Sequence, residues 1–169
     1  MNSQSCIEIL DYNKSVFETL LKNISEEEYL WKPTPEKWCL LEVVCHLYDE
    51  EREDFRARIE STLENPDKEW IKIDPPAWVT DRNYMKQNYT SILAKFLEER
   101  DKSILWLEGL QNPKWDNAYI HPKVGAVPAI RLLANWVAHD YLHLRQIIRL
   151  KYEFLEAHTD EPLDYAGAW

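Results

Sequence analysis

Glycine is scarce. Only Gly109, Gly125 and Gly167 occur in 169 residues. Tight β-hairpins draw on glycine for their turns, so this shortage argues against an all-β fold. Cysteine is equally sparse. Cys6, Cys39 and Cys45 form no CxxC pattern and cannot all pair with one another, which argues against a disulfide framework and suits a reducing compartment. No apolar run approaches the ~18 residues an ordinary membrane-spanning helix needs. The first residues, MNSQSCIEILDYNKS, lack the basic start and apolar stretch of a signal peptide, so a cytoplasmic location is expected. Positive charge is in deficit, with 20 Lys plus Arg against 30 Asp plus Glu and a formal net charge of -10. Such a surface repels phosphate backbones. Arg131, Arg145, Arg149 and Lys151 are scattered along one candidate helix and make a poor basic patch, so no nucleic-acid partner is expected.

Hydrophobic residues are plentiful at 45%, enough for a packed core, and the length suits a single domain over 1–169. Proline punctuates the chain. The nine prolines leave four long proline-free blocks, 1–32, 36–65, 77–112 and 129–161. Helices can run where proline is absent. Apolar spacing inside the blocks is helical. Ile7, Leu10, Phe17, Leu20 and Leu21 share one face of a first helix. Leu40, Val44, Leu47, Tyr48, Phe55 and Ile59 suit a second. Ile92, Leu93, Phe96, Leu97, Ile104, Leu105 and Leu110 suit a third, with Gly109 near its stop. Leu132, Leu133, Trp136, Val137, Leu144, Ile147 and Leu150 suit a fourth, with Pro128 tolerated at its start. Four comparable helices predict an all-α fold, a four-helix bundle. Ser25 followed by three glutamates reads as a capping box that opens a short extra turn. The stretches 65–80 and 111–127 stay unplaced.

Five histidines occur: His46, His121, His139, His143 and His158. His139 and His143 stand four apart, about 40° from one another on one helix face, a spacing that lets two imidazoles hold one metal ion. They share that face with Leu132, Trp136, Ile147 and Leu150, so they point into the bundle, where an unpartnered imidazole pair is costly. Asn135 and Gln146 flank them and are candidates to hydrogen-bond a bound water or ligand. An open metal site wants three protein ligands, and His46 is the best third. Its own helix leaves its direction open, because the stripe through Leu40, Val44, Tyr48 and Phe55 points roughly 160° away. Either this helix is buried on two sides, with the Tyr48–Phe55 stripe as a dimer contact, or His46 faces water. His121 reads as a turn residue before Pro122, and His158 as a solvated residue of the tail.

Three further signals have plainer readings. The sequence His139-Asp140-x-x-His143 has Asp where the zinc-peptidase pattern HExxH has Glu, and no downstream ligand follows, so a peptidase is not expected. The acidic run Asp49-Glu50-Glu51-Arg52-Glu53-Asp54 reads mostly as a solvated helix face. Glu50, one turn beyond His46, is the exception, a candidate to orient that imidazole. Trp31, Trp38 and Trp136 are candidates to wall a pocket near the histidines.

The segment Pro35-Glu36-Lys37-Trp38 through Val43-Val44-Cys45-His46-Leu47, with His121-Pro122-Lys123-Val124-Gly125 and His139-Asp140-Tyr141-Leu142-His143-Leu144-Arg145-Gln146, resembles the DinB/YfiT-like metalloenzyme family. With the four-block layout the resemblance covers nearly the whole chain. It implies a four-helix bundle whose divalent metal, nickel or zinc, is held by three histidines, here His46, His139 and His143. Relatives often form homodimers. Some are thiol-dependent transferases that use bacillithiol or mycothiol, or glutathione-type isomerases. The family name comes from DNA-damage inducibility and implies no DNA binding. One departure is visible: Cys39 stands where relatives usually carry a Ser or Thr able to cap the second helix, which leaves that helix start in question.

These readings order the functional expectations. A cation held by neutral imidazoles lowers the pKa of a bound thiol, so a metal-dependent S-transferase acting on a small-molecule substrate with a bacillithiol-type thiol comes first. Hydrolysis by metal-activated water comes second. A non-catalytic bundle that keeps a metal for stability comes third. Cys39 and Cys45 are read as core thiols.

Overall fold

The computed structural model describes residues 2–167 and is mainly helical. Helix α1 spans Ser3–Leu21 and α2 spans Glu26–Leu30, the latter opened by Ser25, whose hydroxyl accepts from the Glu28 amide as the capping-box pattern predicts. Helix α3 (Leu40–Glu50) runs without interruption through a π-helical turn (Glu51–Phe55) into α4 (Arg56–Glu64). Helix α5 (Pro75–Asp81) and a 3₁₀ turn (Tyr84–Lys86) lead into α6 (Tyr89–Gly109), which ends at the glycine expected near its stop. A hairpin of β1 (Ala118–His121) and β2 (Gly125–Pro128) precedes α7 (Ala129–His158). The hairpin and α5 occupy the stretches that sequence pattern left unplaced.

Four long helices make the bundle. Helix α1 packs on α6 and α7, α3 packs on α6 and α7, and α4 packs on α7. No helix among the described residues is long and apolar enough to cross a membrane. The bent helix α3–α4 is buried on more than one side, since α5 and the 3₁₀ turn cover the flank of α3 away from α7 with Trp78 and Tyr84. Every residue from Cys39 to Leu47 is buried. That settles why His46 seemed to face away from an apolar stripe. Both faces of α3 are interior.

Cys39 does stand at the N-cap of α3, and Glu42 supplies the reciprocal half of a capping box by accepting the Cys39 amide at 2.9 Å. Lys32 reaches the same buried carboxylate at 2.8 Å. Replacing Glu42 with alanine is expected to cost about 1–2 kcal/mol, read as a lower thermal midpoint, because it orphans one buried amide and one ammonium.

The apolar core lies in two clusters. One gathers Phe17, Leu47, Phe96 and Leu144; the other gathers Leu10, Ile59, Ile104, Trp136 and Val137. Between them, on four helical segments, sit Asn13, Glu51, Arg100 and Asp140, all buried. Arg100 grips both carboxylates by paired hydrogen bonds, Nε and Nη2 to Glu51 at 2.8 and 2.9 Å, and Nη1 and Nη2 to Asp140 at 2.7 and 2.8 Å. Asn13 donates to Asp140 at 3.1 Å and the Trp136 indole to Glu51 at 3.3 Å. Burial without such partners would be prohibitive for these groups.

The acidic run is therefore not a solvated face. Asp49, Glu50, Glu51 and Asp54 are buried. Asp49 accepts from Tyr84 and Arg52, both at 2.7 Å, and Arg82 closes on Glu53 with two bonds of 2.8 Å. Asp49 and Glu50 lie in α3 ahead of the π-turn and are buried because that helix is covered on its second flank, where Tyr84 and Arg82 reach Asp49; for the residues after them the π-turn causes the misreading. It adds about one residue to a turn, so everything beyond it is set back by roughly 100° from the frame of α3. Phe55 is turned inward by that shift and stacks on Trp136 at a centroid distance of 5.7 Å. The expected dimer stripe through Tyr48 and Phe55 does not exist as a continuous surface. Tyr48 lies under the Arg52 guanidinium, and Phe55 is half-buried against Trp136.

Candidate metal centre

The histidine trio lies at the level of the Arg100 layer, where α3 meets α7. Helix α7 presents His139 and His143 one turn apart, and α3 brings His46 across from them. Ring centroids are 4.4 Å apart for His139 and His143, 4.8 Å for His46 and His143, and 5.5 Å for His46 and His139. Each ring offers one nitrogen to a common space, and the three atoms lie within 4.8 Å of one another. Sequence spacing brings two of these rings together. The third comes from a residue 93 positions away, and only the fold supplies it.

The walls are aromatic. Trp38 sits 5.0 Å from His46, and Phe55 sits 5.1 Å from His139. Trp136 supports Phe55 from behind. Trp31 is elsewhere, against Phe154 and His158. His121 ends β1, where its Nδ1 accepts the Lys123 amide, and His158 is exposed at the end of α7. Neither joins the trio.

All three imidazoles are held neutral. Burial, with His143 adding to it, pushes His46 down to about 3. Burial and the neighbouring histidines push His139 down to about 2. Burial lowers His143 as well, opposed in part by Gln146. Gln146 Oε1 accepts from His143 Nδ1 at 2.9 Å, which fixes the tautomer and leaves Nε2 free as a lone pair. Gln146 thus orients the His143 ring. Asn135 bonds the Arg131 carbonyl and takes no part. His143 Nε2 faces His139 Nε2 at 3.1 Å, a distance met by a hydrogen bond when His139 carries its proton on that nitrogen, and one that lets both nitrogens face a single cation when it does not. His46 Nδ1 is buried without a hydrogen-bond partner, and Glu50 stands 4.0 Å from it. Burial, with the Asp54 carboxyl beside it, raises Glu50 well above the usual carboxylate range.

Neutral nitrogen donors, a fixed tautomer and two imidazole nitrogens in mutual contact fit a divalent first-row cation. Asp140 cannot play the glutamate of an HExxH site, because both its oxygens are committed to Arg100. Cys39 and Cys45 are pushed by burial up to about 11 and about 12, so neither is a ready nucleophile.

The chain is thus a bundle of four long helices with an imidazole trio, a candidate metal centre, between two of them. Residues 9–147 match the DinB superfamily, and the chain belongs to that superfamily. Among solved structures it is similar to YfiT from Bacillus subtilis, described as a probable metal-dependent hydrolase with an unusual four-helix bundle topology. The TM-score is 0.78 over 90% of this chain and 87% of that one, at 17% sequence identity, a likeness of fold. Comparison with the curated proteins gives no match.

Proposed function

We propose that His46, His139 and His143 hold one divalent metal ion, nickel or zinc, and that the protein is a metal-dependent S-transferase acting on a small molecule with a bacillithiol-type thiol as co-substrate. The observation that carries this reading is the convergence of three neutral imidazole nitrogens within 4.8 Å of one another. When bound there, the cation would supply a Lewis acid that lowers the pKa of a thiol toward neutrality. The chain's own groups do the rest. Gln146 holds His143 in the ligating tautomer, and Trp38 and Phe55 shield the site from water. The chain offers no activated cysteine, so the nucleophile comes from the co-substrate. Its sulfur pair forms the new C–S bond, the leaving group departs with the broken bond's electrons, and the thiol proton passes to solvent.

Hydrolysis is the second reading, favoured by the likeness to YfiT. It gains most from a carboxylate base beside the metal. Glu50, whose carboxyl stands 4.0 Å from His46 Nδ1, is kept neutral by burial. That favours thiol transfer, which needs no such base.

Elemental analysis of protein loaded with nickel or zinc should find one ion per chain, and replacement of any one of the three histidines by alanine should remove it. The loaded protein is then assayed with a thiol plus an aryl halide, and separately with ester, amide and phosphoester panels lacking thiol. Turnover that requires thiol and His143 supports transfer. Thiol-independent turnover that requires His143 replaces it with hydrolysis. Metal that raises the melting temperature with no turnover in any panel leaves a structural site and sinks both enzymatic readings.

A further inference from the structure

A polar row leads away from His46, and the proposed reaction leaves its other members unused. His46, Glu50, Asp54 and Arg58 follow one another at four-residue intervals along α3, the π-turn and α4. Over an uninterrupted helix those steps would drift by about 120°. The set-back of roughly 100° at the π-turn cancels most of that drift, so the residues share one line of the rod. The contacts follow the line. Nδ1 of His46 stands 4.0 Å from Glu50 Oε1. Glu50 hydrogen-bonds Asp54, and Arg58 Nη1 meets Asp54 Oδ1 at 2.6 Å. His46, Glu50 and Asp54 are buried, and Arg58 is half-buried with its guanidinium 5.0 Å from the Trp70 ring.

The row ends on an unanswered atom. Of the two His46 nitrogens, Nδ1 is the one sealed from water with no hydrogen-bond partner. An imidazole that ligates through one nitrogen is oriented by a hydrogen bond at the other, which fixes both tautomer and ring angle. His143 has this arrangement already, with Gln146 on its Nδ1. Glu50 is placed to do the same for His46. Two carboxyls that bond each other share a proton, so one Glu50 oxygen is engaged by Asp54 and the other is left as an acceptor. The 4.0 Å gap exceeds a hydrogen bond by about 1 Å, and contacts of this kind tighten when the site is engaged. We propose that Glu50 is a positioning residue for the metal centre: its free oxygen accepts the Nδ1 proton of His46 and leaves Nε2 as the ligating nitrogen, while Asp54, anchored by Arg58, holds Glu50 in place. This role rests on the trio being a metal site, and the test separates the two.

Nickel affinity, measured by competition with a chelator, is the first readout. Loss of an orienting contact of this kind lowers metal affinity by about 10–100-fold, and Glu50→Leu, which removes the acceptor, should show that loss. Glu50→Gln keeps an acceptor oxygen for His46 and an amide donor for Asp54, so it should stay within about threefold of wild type. In zinc-loaded protein, proton–nitrogen correlation spectra of the imidazoles give a second readout that lost packing alone would not move. The His46 Nδ1 proton should resonate downfield in wild type and Glu50→Gln, and shift upfield in Glu50→Leu. Arg58→Gln, at the half-buried end of the row, reaches the centre only through Asp54 and Glu50 and should cost about threefold in affinity. It decides the matter if Glu50→Leu does not fold. Unchanged affinity in Glu50→Leu, or in Arg58→Gln where that variant must decide, overturns the proposal. An equal loss in Glu50→Leu and Glu50→Gln also overturns it, because the effect then belongs to the charge and not to the acceptor oxygen. Full nickel binding by His46→Ala, or no binding by wild type, defeats the trio instead and takes the role of the row with it.

Discussion

Arg100→Leu is expected to destabilise the protein by about 3–5 kcal/mol, because it leaves Glu51 and Asp140 buried without a cation. The guanidinium is 1% exposed and makes four hydrogen bonds to the two carboxylates and a fifth, at 3.3 Å, to the Leu10 carbonyl. The rings of Phe17, Phe96 and Trp136 surround it at 5.6–6.0 Å. Leucine fills part of the volume and answers none of the polar atoms. Urea denaturation followed by tryptophan fluorescence measures the loss. Arg100→Lys keeps the charge without the planar fork, so it should fall between leucine and wild type. Adding Glu51→Gln and Asp140→Asn to Arg100→Leu should recover part of the loss, because the stranded charges go with the arginine's partners. A loss below about 1 kcal/mol in Arg100→Leu would mean the layer is hydrated and not sealed.

The second large effect is on pH dependence in chelator-treated protein. An unfolded imidazole titrates near 6.5. Those of His46 and His139 are displaced to about 3 and about 2, and that of His143 is also lowered, all chiefly by burial. Below about pH 6.5 the unfolded chain therefore binds protons that the folded chain refuses, and stability falls with acid by up to about 1.4 kcal/mol per imidazole per pH unit. Glu50 acts in the opposite sense. Its folded value is raised by burial and by Asp54, so the folded chain keeps a proton that the unfolded chain has released, and stability falls as pH climbs above the ordinary carboxylate range. Three imidazoles outweigh the raised carboxyls on the acid side, and the curve should peak near neutrality. Urea midpoints from about pH 5 to 9 test this, with a shallower acid limb expected in His139→Gln and a flatter alkaline limb in Glu50→Gln. A monotonic rise from acid to alkaline pH would show that the carboxyl cluster is already ionised.

Much of this was readable in the residues. The four proline-free blocks became α1, the α3–α4 rod, α6 and α7, because proline placement and apolar period report the same physics that builds helices. The pair His139 and His143 was legible for the same reason. His46 was not legible from period alone, since α3 is surrounded and has no solvent face to contrast with. The buried layer left a subtler trace. Asn13 stands between Leu10 and Phe17, Arg100 between Phe96 and Ile104, and Asp140 between Trp136 and Leu144, each a lone polar residue on an apolar face. Reading all three together would have announced a polar layer. Glu51 and Phe55 could not be found this way, because a wide turn changes the helical phase without changing composition.

That wide turn also bears on how this chain should be compared with its kin. Relatives built on an uninterrupted second helix would lack one residue between Glu50 and Arg56, and an alignment would open a single-position gap there. Such a gap would mark proteins whose histidines lack the aromatic ring that Phe55 places beside His139. A lone missing letter would thus separate two shapes of pocket within one superfamily.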